Sequence, residues 1–225
     1  MFDRIAPRYD LLNHVLSYNV DRTWWWRTAR RFRHILARPE AKVLDICCGT
    51  GDMTMALLRR RPADAEPAIA ADFSQEMLAR ARKKLAGRAV TIVEADALRL
   101  PMADGSLDLI TTAFGFRNLA NYEAGLREFS RVLAPGGELG ILDFSEPGGW
   151  MGRVFGFYFR HLLPSIGSWI SRDSSAYGYL PDSVERFPRP PAMLELMRGA
   201  GFVDVSWTPY SFGIAGLWRG VKPES

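Results

Sequence analysis

Val43-Leu44-Asp45-Ile46-Cys47-Cys48-Gly49-Thr50-Gly51-Asp52-Met53-Thr54 runs from an apolar stretch through a glycine turn toward a helix, and Asp72 follows 21 residues after Gly51. Glycine has no Cβ, so backbone N–H groups in such a turn can approach a ligand closely. An acid at that distance falls at the end of the next strand, where it can accept hydrogen bonds from a ribose diol. The stretch predicts strand, turn and helix, arranged to cradle a nucleoside-bearing cofactor. Asp72 has a plainer alternative role, capping the next helix just ahead of Ser74.

The turn also narrows the choice of cofactor. A dinucleotide fingerprint reads G-x-G-x-x-G, but Thr54 stands where the third glycine would be, which weakens the nicotinamide reading. Its hydroxyl becomes a donor and acceptor near the turn. A Walker phosphate loop is absent because no lysine follows the glycines.

Working outward, strand and helix alternate: strand 42–47, helix 52–61, strand 67–71, helix 74–86, strand 89–93, strand 107–113, helix 121–134 and strand 137–143. Repeated βα alternation predicts an α/β fold with a mostly parallel sheet covered by helices on both faces. Pro135-Gly136-Gly137 reads as a sharp turn between helix and strand. The tail, Phe202 to Trp207 and Ile214 to Val221, reads as an antiparallel pair closing the sheet. One domain, 1–225, is expected.

Two segments stand outside the alternation. Residues 10–37 read as one helix ended by Pro39, within an N-terminal helical segment, 1–40, suited to a lid. It carries Trp24-Trp25-Trp26, and three consecutive residues on a helix fan over about 200°. They cannot all face one core, so part of this helix meets another element, a lipid or a substrate. Residues 144–191 form a second break, with Met151, Val154, Phe155, Tyr158, Phe159 and Leu162 on one helical face. An apolar insertion where strands end either builds a substrate pocket or lid, or covers the sheet edge.

Composition excludes several classes. A formal charge of +4, from 29 Lys and Arg against 25 Asp and Glu, suits an anionic membrane surface but falls well short of a nucleic-acid binder. The two cysteines are adjacent, which offers neither a disulfide framework nor a C-x-x-C spacing, and His14, His34 and His161 lack ligand spacing, so no metal is expected. The opening Met1-Phe2-Asp3-Arg4 has no secretory pattern, and Trp150 to Ile170 is interrupted by Arg153, Arg160, His161 and Pro164. A cytoplasmic protein without a spanning helix is expected.

With those residues in place, the chain resembles the class I S-adenosylmethionine-dependent methyltransferases, a Rossmann-like fold. Asp45, Gly49 and Gly51 match the acid and glycine turn of their first motif, although Cys47 stands where many members have glycine. The resemblance implies that Asp72 grips the ribose hydroxyls. It also implies that Glu94-Ala95-Asp96-Ala97 is the adenine site, with the Asp96 carboxylate accepting from the exocyclic amine and the Ala97 N–H reaching the ring. Asp96 by itself is equally an exposed turn residue.

Further segments sharpen the resemblance: Phe2 to Asn13, Phe114-Gly115-Phe116-Arg117-Asn118-Leu119, Leu142-Asp143-Phe144-Ser145, and Tyr177 to Ser183 look like the menaquinone/ubiquinone biosynthesis C-methyltransferases over essentially the whole chain. Ala113 stands where some members have a serine near the cofactor, and Asp143 is shorter than their frequent glutamate. The resemblance implies a seven-stranded, mostly parallel sheet with an antiparallel C-terminal strand and a helical insertion. It implies a polyprenylated quinol substrate, demethylmenaquinol ahead of a ubiquinone precursor, with S-adenosylhomocysteine released.

Such chemistry needs a ring carbon held in line with the sulfonium methyl and a site that stabilises a developing phenolate. Arg117 and Asn118 are the candidates, and Tyr9, beside Asp10 in the opening motif, could fold over the site and bond a quinol oxygen. The resemblance suggests that Arg117 assists deprotonation, but a guanidinium keeps its proton in proteins, so electrostatic stabilisation is the role assigned. A surface salt bridge is the alternative for Arg117, and plain packing for Tyr9.

A polyprenyl tail requires the enzyme to meet its substrate at a bilayer, and the Trp24 to Arg38 stretch together with Phe155 and Phe159 suits peripheral contact. Methylation of another lipid or small molecule, and a non-catalytic nucleotide-sensing module, are the competing readings. An RNA acceptor is disfavoured because no basic domain accompanies the fold. Oligomeric state is left open, a homodimer included.

Overall fold

The computed structural model describes residues 20–145, 183–184 and 186–224. Seven strands form one sheet: β1 (Val43–Ile46), β2 (Ala68–Asp72), β3 (Val90–Glu94), β4 (Leu107–Ala113), β5 (Leu133–Phe144), β6 (Val203–Tyr210) and β7 (Ala215–Val221). Their order is β3-β2-β1-β4-β5-β7-β6. The pairs β1 with β2, β1 with β4, β2 with β3 and β4 with β5 are parallel, whereas β7 runs antiparallel to both β5 and β6. The sheet expected from the alternation and the resemblance is therefore present.

Buried parallel strands read as unbroken apolar runs because helices cover both faces. β1 is buried at every position, Asp45 included. The chain leaves β1 toward β2 on one side, then returns to lay β4 against the other. That reversal opens a crevice at the carboxyl ends of the strands, where ligands bind in open α/β sheets.

The helices in chain order are α1 (Val20–Arg31), α2 (Arg33–Leu36), α3 (Asp52–Leu58), α4 (Gln75–Lys84), α5 (Tyr122–Val132) and α6 (Pro190–Gly199). Ser74 and Asn121 cap α4 and α5, their side chains accepting from Met77 N–H at 3.3 Å and Ala124 N–H at 2.8 Å. α6 was not anticipated. Pro190 and Pro191 start it and Met193 and Met197, one turn apart, bury themselves beneath it.

The single helix expected over 10–37 is corrected within its described part. It breaks at Phe32, whose ring is fully buried against the backbone of Gly140, where a Cβ would lie 2.5 Å from the ring. The turn expected at Pro135-Gly136-Gly137 lies inside β5, with Gly136 at φ +74° beside the register shift between Leu107 and Leu109. Residues 10–19 and the amphipathic face from Met151 to Leu162 lie outside the described residues.

The tryptophan fan resolves into three environments. Trp24 is buried against Phe114 and Phe144 and donates through Nε1 to Ser211 Oγ at 2.9 Å. Trp25 is half-buried and faces the crevice, and Trp26 is 48% exposed. Among the described residues no helix is long and apolar enough to cross a membrane.

Candidate active site

A cavity of about 820 Å³ lies at the carboxyl ends of β1 to β4. That is room for a nucleoside and a second ring system. Each strand end contributes in turn: Cys47, Cys48 and Gly49 after β1, Asp72 after β2, Glu94 to Ala97 after β3, and Ala113 to Gly115 after β4.

The glycine turn is pinned at both ends. Cys48 N–H donates to Ala71 O at 3.0 Å and Gly51 N–H to Cys48 O at 2.9 Å. A Cβ at Gly49 would meet no protein atom within 4 Å, so the backbone there borders open cavity. Gly51 sits at φ +91°, and a Cβ there would fall 2.9 Å from Leu85. Gly49, at φ +55°, and Gly51 both need glycine for conformation; Gly49 adds open space for a ligand and Gly51 adds close packing.

Asp72 serves both roles open to it. Its Oδ2 accepts from Gly49 N–H at 2.8 Å and its Oδ1 from Ser74 N–H at 2.9 Å, so the carboxylate ties the glycine turn to the start of α4 while lining the cavity. Burial pushes its pKa up, against the backbone hydrogen bonds that pull it down. Each oxygen retains acceptor capacity for a diol. Asp96 likewise is an exposed turn residue, accepting from Leu98 N–H at 2.9 Å, and a cavity-lining one. Ala97 and Ala113 line the cavity as expected.

Asp45, Gly51 and Thr54, expected at the cofactor, stand behind the residues that line the cavity. Asp45 is 1% exposed; Thr54 Oγ1 donates to its Oδ2 at 2.5 Å and Thr111 Oγ1 to its Oδ1 at 2.9 Å. The carboxyl thus joins β1, α3 and β4 beneath the turn. Burial raises its pKa to about 7, against the lowering effect of the two hydroxyls. The Thr54 hydroxyl donates its proton in this bond.

Arg117 is placed differently from expectation too. Its side chain is 2% exposed and pairs with Asp143, itself 0% exposed, at 2.8 Å. Neither stands among the lining residues, whereas Asn118 does. The guanidinium is thus directed at Asp143 and the Phe114 carbonyl. The alternative, a surface salt bridge, fails because the pair is buried. Tyr9 lies outside the described residues.

Several lining residues were missed. Trp25, Met53, Phe73 and Phe114 add apolar surface, and Gln75 and Glu76 add polar groups at the mouth. Gln75 Nε2 donates to Glu94 Oε2 at 2.7 Å. Phe114 opens a segment singled out for its Arg and Asn, and its position next to Ala113 was the available signal. The cavity is acidic at the β2 and β3 ends and aromatic around Trp25 and Phe114. Cys47 and Cys48 also line it, with burial pushing both thiols up and keeping them protonated.

The model of the ubiE/COQ5 methyltransferase family matches residues 1–222. The demethylmenaquinone methyltransferase of Deinococcus radiodurans is 47% identical over 99% of this chain and 91% of its own. The demethylmenaquinone methyltransferase of Thermus thermophilus is 46% identical over 99% of this chain and 100% of its own. Among solved structures, a SAM-dependent methyltransferase of Thermotoga maritima, possible histamine N-methyltransferase, superposes with a TM-score of 0.67 at 20% identity, covering 98% of each chain. The [4+2]-cyclase SpnF superposes at 0.64 with 18% identity, covering 89% of this chain and 81% of its own. Structural likeness at that identity carries the fold and not the reaction.

Proposed function

This chain belongs to the ubiE/COQ5 methyltransferase family, and on that premise we propose that its acceptor is a polyprenylated quinol, demethylmenaquinol converted to menaquinol. It is an S-adenosylmethionine-dependent C-methyltransferase. When bound, S-adenosylmethionine supplies an electrophilic methyl group and leaves as S-adenosylhomocysteine. The observation that carries the acceptor reading is the two-ended cavity: carboxylates at one end, Trp25, Met53 and Phe114 at the other.

The residues present fit a nucleoside cofactor. Gly49 leaves open space at the turn, and Asp72 and Asp96 provide acceptors at successive strand ends. Trp25 and Phe114 offer flat apolar surface to a quinol ring and help keep water from the reacting carbon. Asn118, an amide at the cavity wall, would donate to a quinol oxygen as it gains negative charge. Tyr9 is proposed as a second donor from the N-terminal segment.

A polyprenyl tail would bring the enzyme to its substrate at the inner face of the cytoplasmic membrane. Trp26 is exposed, with the Arg30 and Arg60 guanidinium carbons each 5.3 Å from its ring centroid. An aromatic ring flanked by cations suits an anionic lipid surface. Vesicles containing anionic lipid should co-sediment the protein at low salt and release it at high salt; failure to bind at low salt would remove the membrane contact.

The deciding assay uses purified protein, methyl-labelled S-adenosylmethionine, and reduced naphthoquinol beside reduced benzoquinol. Label should move to the naphthoquinol ring. Transfer to benzoquinol alone would overturn the menaquinol assignment, and cofactor binding without transfer to either would favour a sensing module.

A further inference from the structure

Phe114, where the chain leaves β4, has φ +58°. A residue with a bulky side chain occupies that region at a cost, and does so only where its surroundings over-determine it. Here they do. Phe114 N–H donates to Leu142 O at 2.8 Å, and its carbonyl accepts from Arg117 Nη1 at 2.5 Å. Its ring lies 4.7 Å from that of Phe144 and 5.9 Å from that of Trp24.

Arg117 is in turn fixed by Asp143. The carboxylate accepts from Nη1 at 2.8 Å and from the Arg117 backbone N–H at 3.1 Å, while the guanidinium carbon lies 5.3 Å from the Phe144 ring centroid. A buried ion pair is poor evidence for stability as such, since desolvation offsets its attraction. Its geometric use is clearer: Nη1 donates both to the Asp143 carboxylate and to the Phe114 carbonyl, and a lysine, whose nitrogen sits one bond closer to the backbone, does not bring a donor to the same place. Of the groups in this chain of contacts, Phe114 is the one that lines the cavity, beside Ala113 and Gly115.

We infer that the Arg117–Asp143 pair is a latch that holds Phe114 in its left-handed turn, so that the ring forms a fixed wall for the aromatic acceptor. Arg117 and Asp143 are thus positioning residues acting through Phe114, without touching the substrate. The inference rests on the cavity receiving an aromatic quinol. It assigns one purpose to three observations: the outlying backbone at Phe114, the burial of an ion pair beside the cavity, and the absence of that pair from its wall.

The test compares Arg117→Lys, Asp143→Asn and Phe114→Leu in the full chain. Each should raise KM for reduced naphthoquinol about tenfold or more, with the affinity for S-adenosylmethionine moving less than about threefold. The Arg117→Lys/Phe114→Leu double variant should be no worse than the poorer single, because the two act in one chain of contacts. The pH profile of kcat/KM should keep its shape. A kcat loss in Arg117→Lys with unchanged acceptor KM, a displaced pH limb and a wild-type Phe114→Leu would overturn the latch and put Arg117 on the acceptor oxygen.

Should the ion-pair variants fail to fold, Phe114→Gly decides, since glycine keeps the turn and removes the ring alone. A raised acceptor KM at wild-type melting temperature supports the latch, and a wild-type KM sinks it. A readout free of acceptor separates this from failure of the quinol reading. The Trp24 indole N–H resonance, assigned with Trp24→Phe, should shift alike in Arg117→Lys and Asp143→Asn, and an unmoved resonance rejects the latch whatever the substrate.

Discussion

Cys47 and Gly115 meet so closely that a Cβ on Gly115 would lie 2.3 Å from the Cβ of Cys47. They bring the end of β1 against the exit of β4 across the topological switch. Cys47 itself stands at φ +55°, a conformation that glycine adopts freely and an L-residue does not. Contact and strain at this seam make the first prediction a coupled one. Gly115→Ala should destabilise the protein by about 1–3 kcal/mol, as over-packing does. Adding Cys47→Gly should recover most of that loss in urea unfolding, since it removes the colliding Cβ. Penalties that simply add would show that the two strand ends shift independently.

Asp45 makes stability depend on pH. Its carboxyl titrates at about 7 in the fold against 3.8 for the ordinary group, so between those values the native state holds a proton that the unfolded chain has released. Stability from this group is fully present at low pH and is lost as pH rises through about 7. Asp45→Asn removes the titration, and the stability gap between variant and wild type should move in the variant's favour by on the order of 2–4 kcal/mol between pH 4 and pH 8. A pH-independent gap in denaturant titrations would mean that Asp45 stays ionised.

Asp72 joins the glycine turn to the cavity wall. Asp72→Ala removes the acceptor shared by Gly49 and Ser74 N–H groups as well as a wall of the cavity. Affinity for S-adenosylmethionine, read by calorimetry, should fall about tenfold or more, in line with loss of a charge-assisted hydrogen bond. Unchanged affinity would remove Asp72 from the cofactor site.

Glu138 provides a contrast far from the cavity. Arg219 holds it through two hydrogen bonds of 2.6 and 2.7 Å, and His34 Nε2 lies 2.9 Å from it. Glu138→Gln should cost about 2–4 kcal/mol, since one charge of a largely buried pair is left behind. Turnover measured below the melting transition should stay at the wild-type level. Lost turnover with intact stability would connect this end of β5 to the site.

Much of this was legible along the chain because the signals are local. The alternation of apolar runs and helical stretches reflects strands buried on both faces, and β1 shows it most plainly. The glycines, Asp72 and Asp96 fall at successive strand ends because a parallel sheet repeats its crossover, so acceptors at those ends converge on one crevice. The tryptophan fan was legible as a contradiction: three neighbours on a helix cannot share one face. α6 went unread although Pro190, Met193 and Met197 carried it, because the segment before it drew the whole stretch into one insertion.

The sequence by itself determined the sheet, the cofactor turn and the convergence of its acids, since strand periodicity and glycine's missing Cβ act within a few residues of the chain. Tertiary structure alone decided direction. Asp45 and Thr54 turn toward one another beneath the glycine turn, and Arg117 turns toward Asp143 rather than the cavity. At a strand end the side chain follows whichever partner satisfies its charge or hydrogen bonds. For Arg117 that partner lies 26 residues away on the neighbouring strand. No local pattern reaches that far, so the pairing of Arg117 with Asp143 is visible only in the fold.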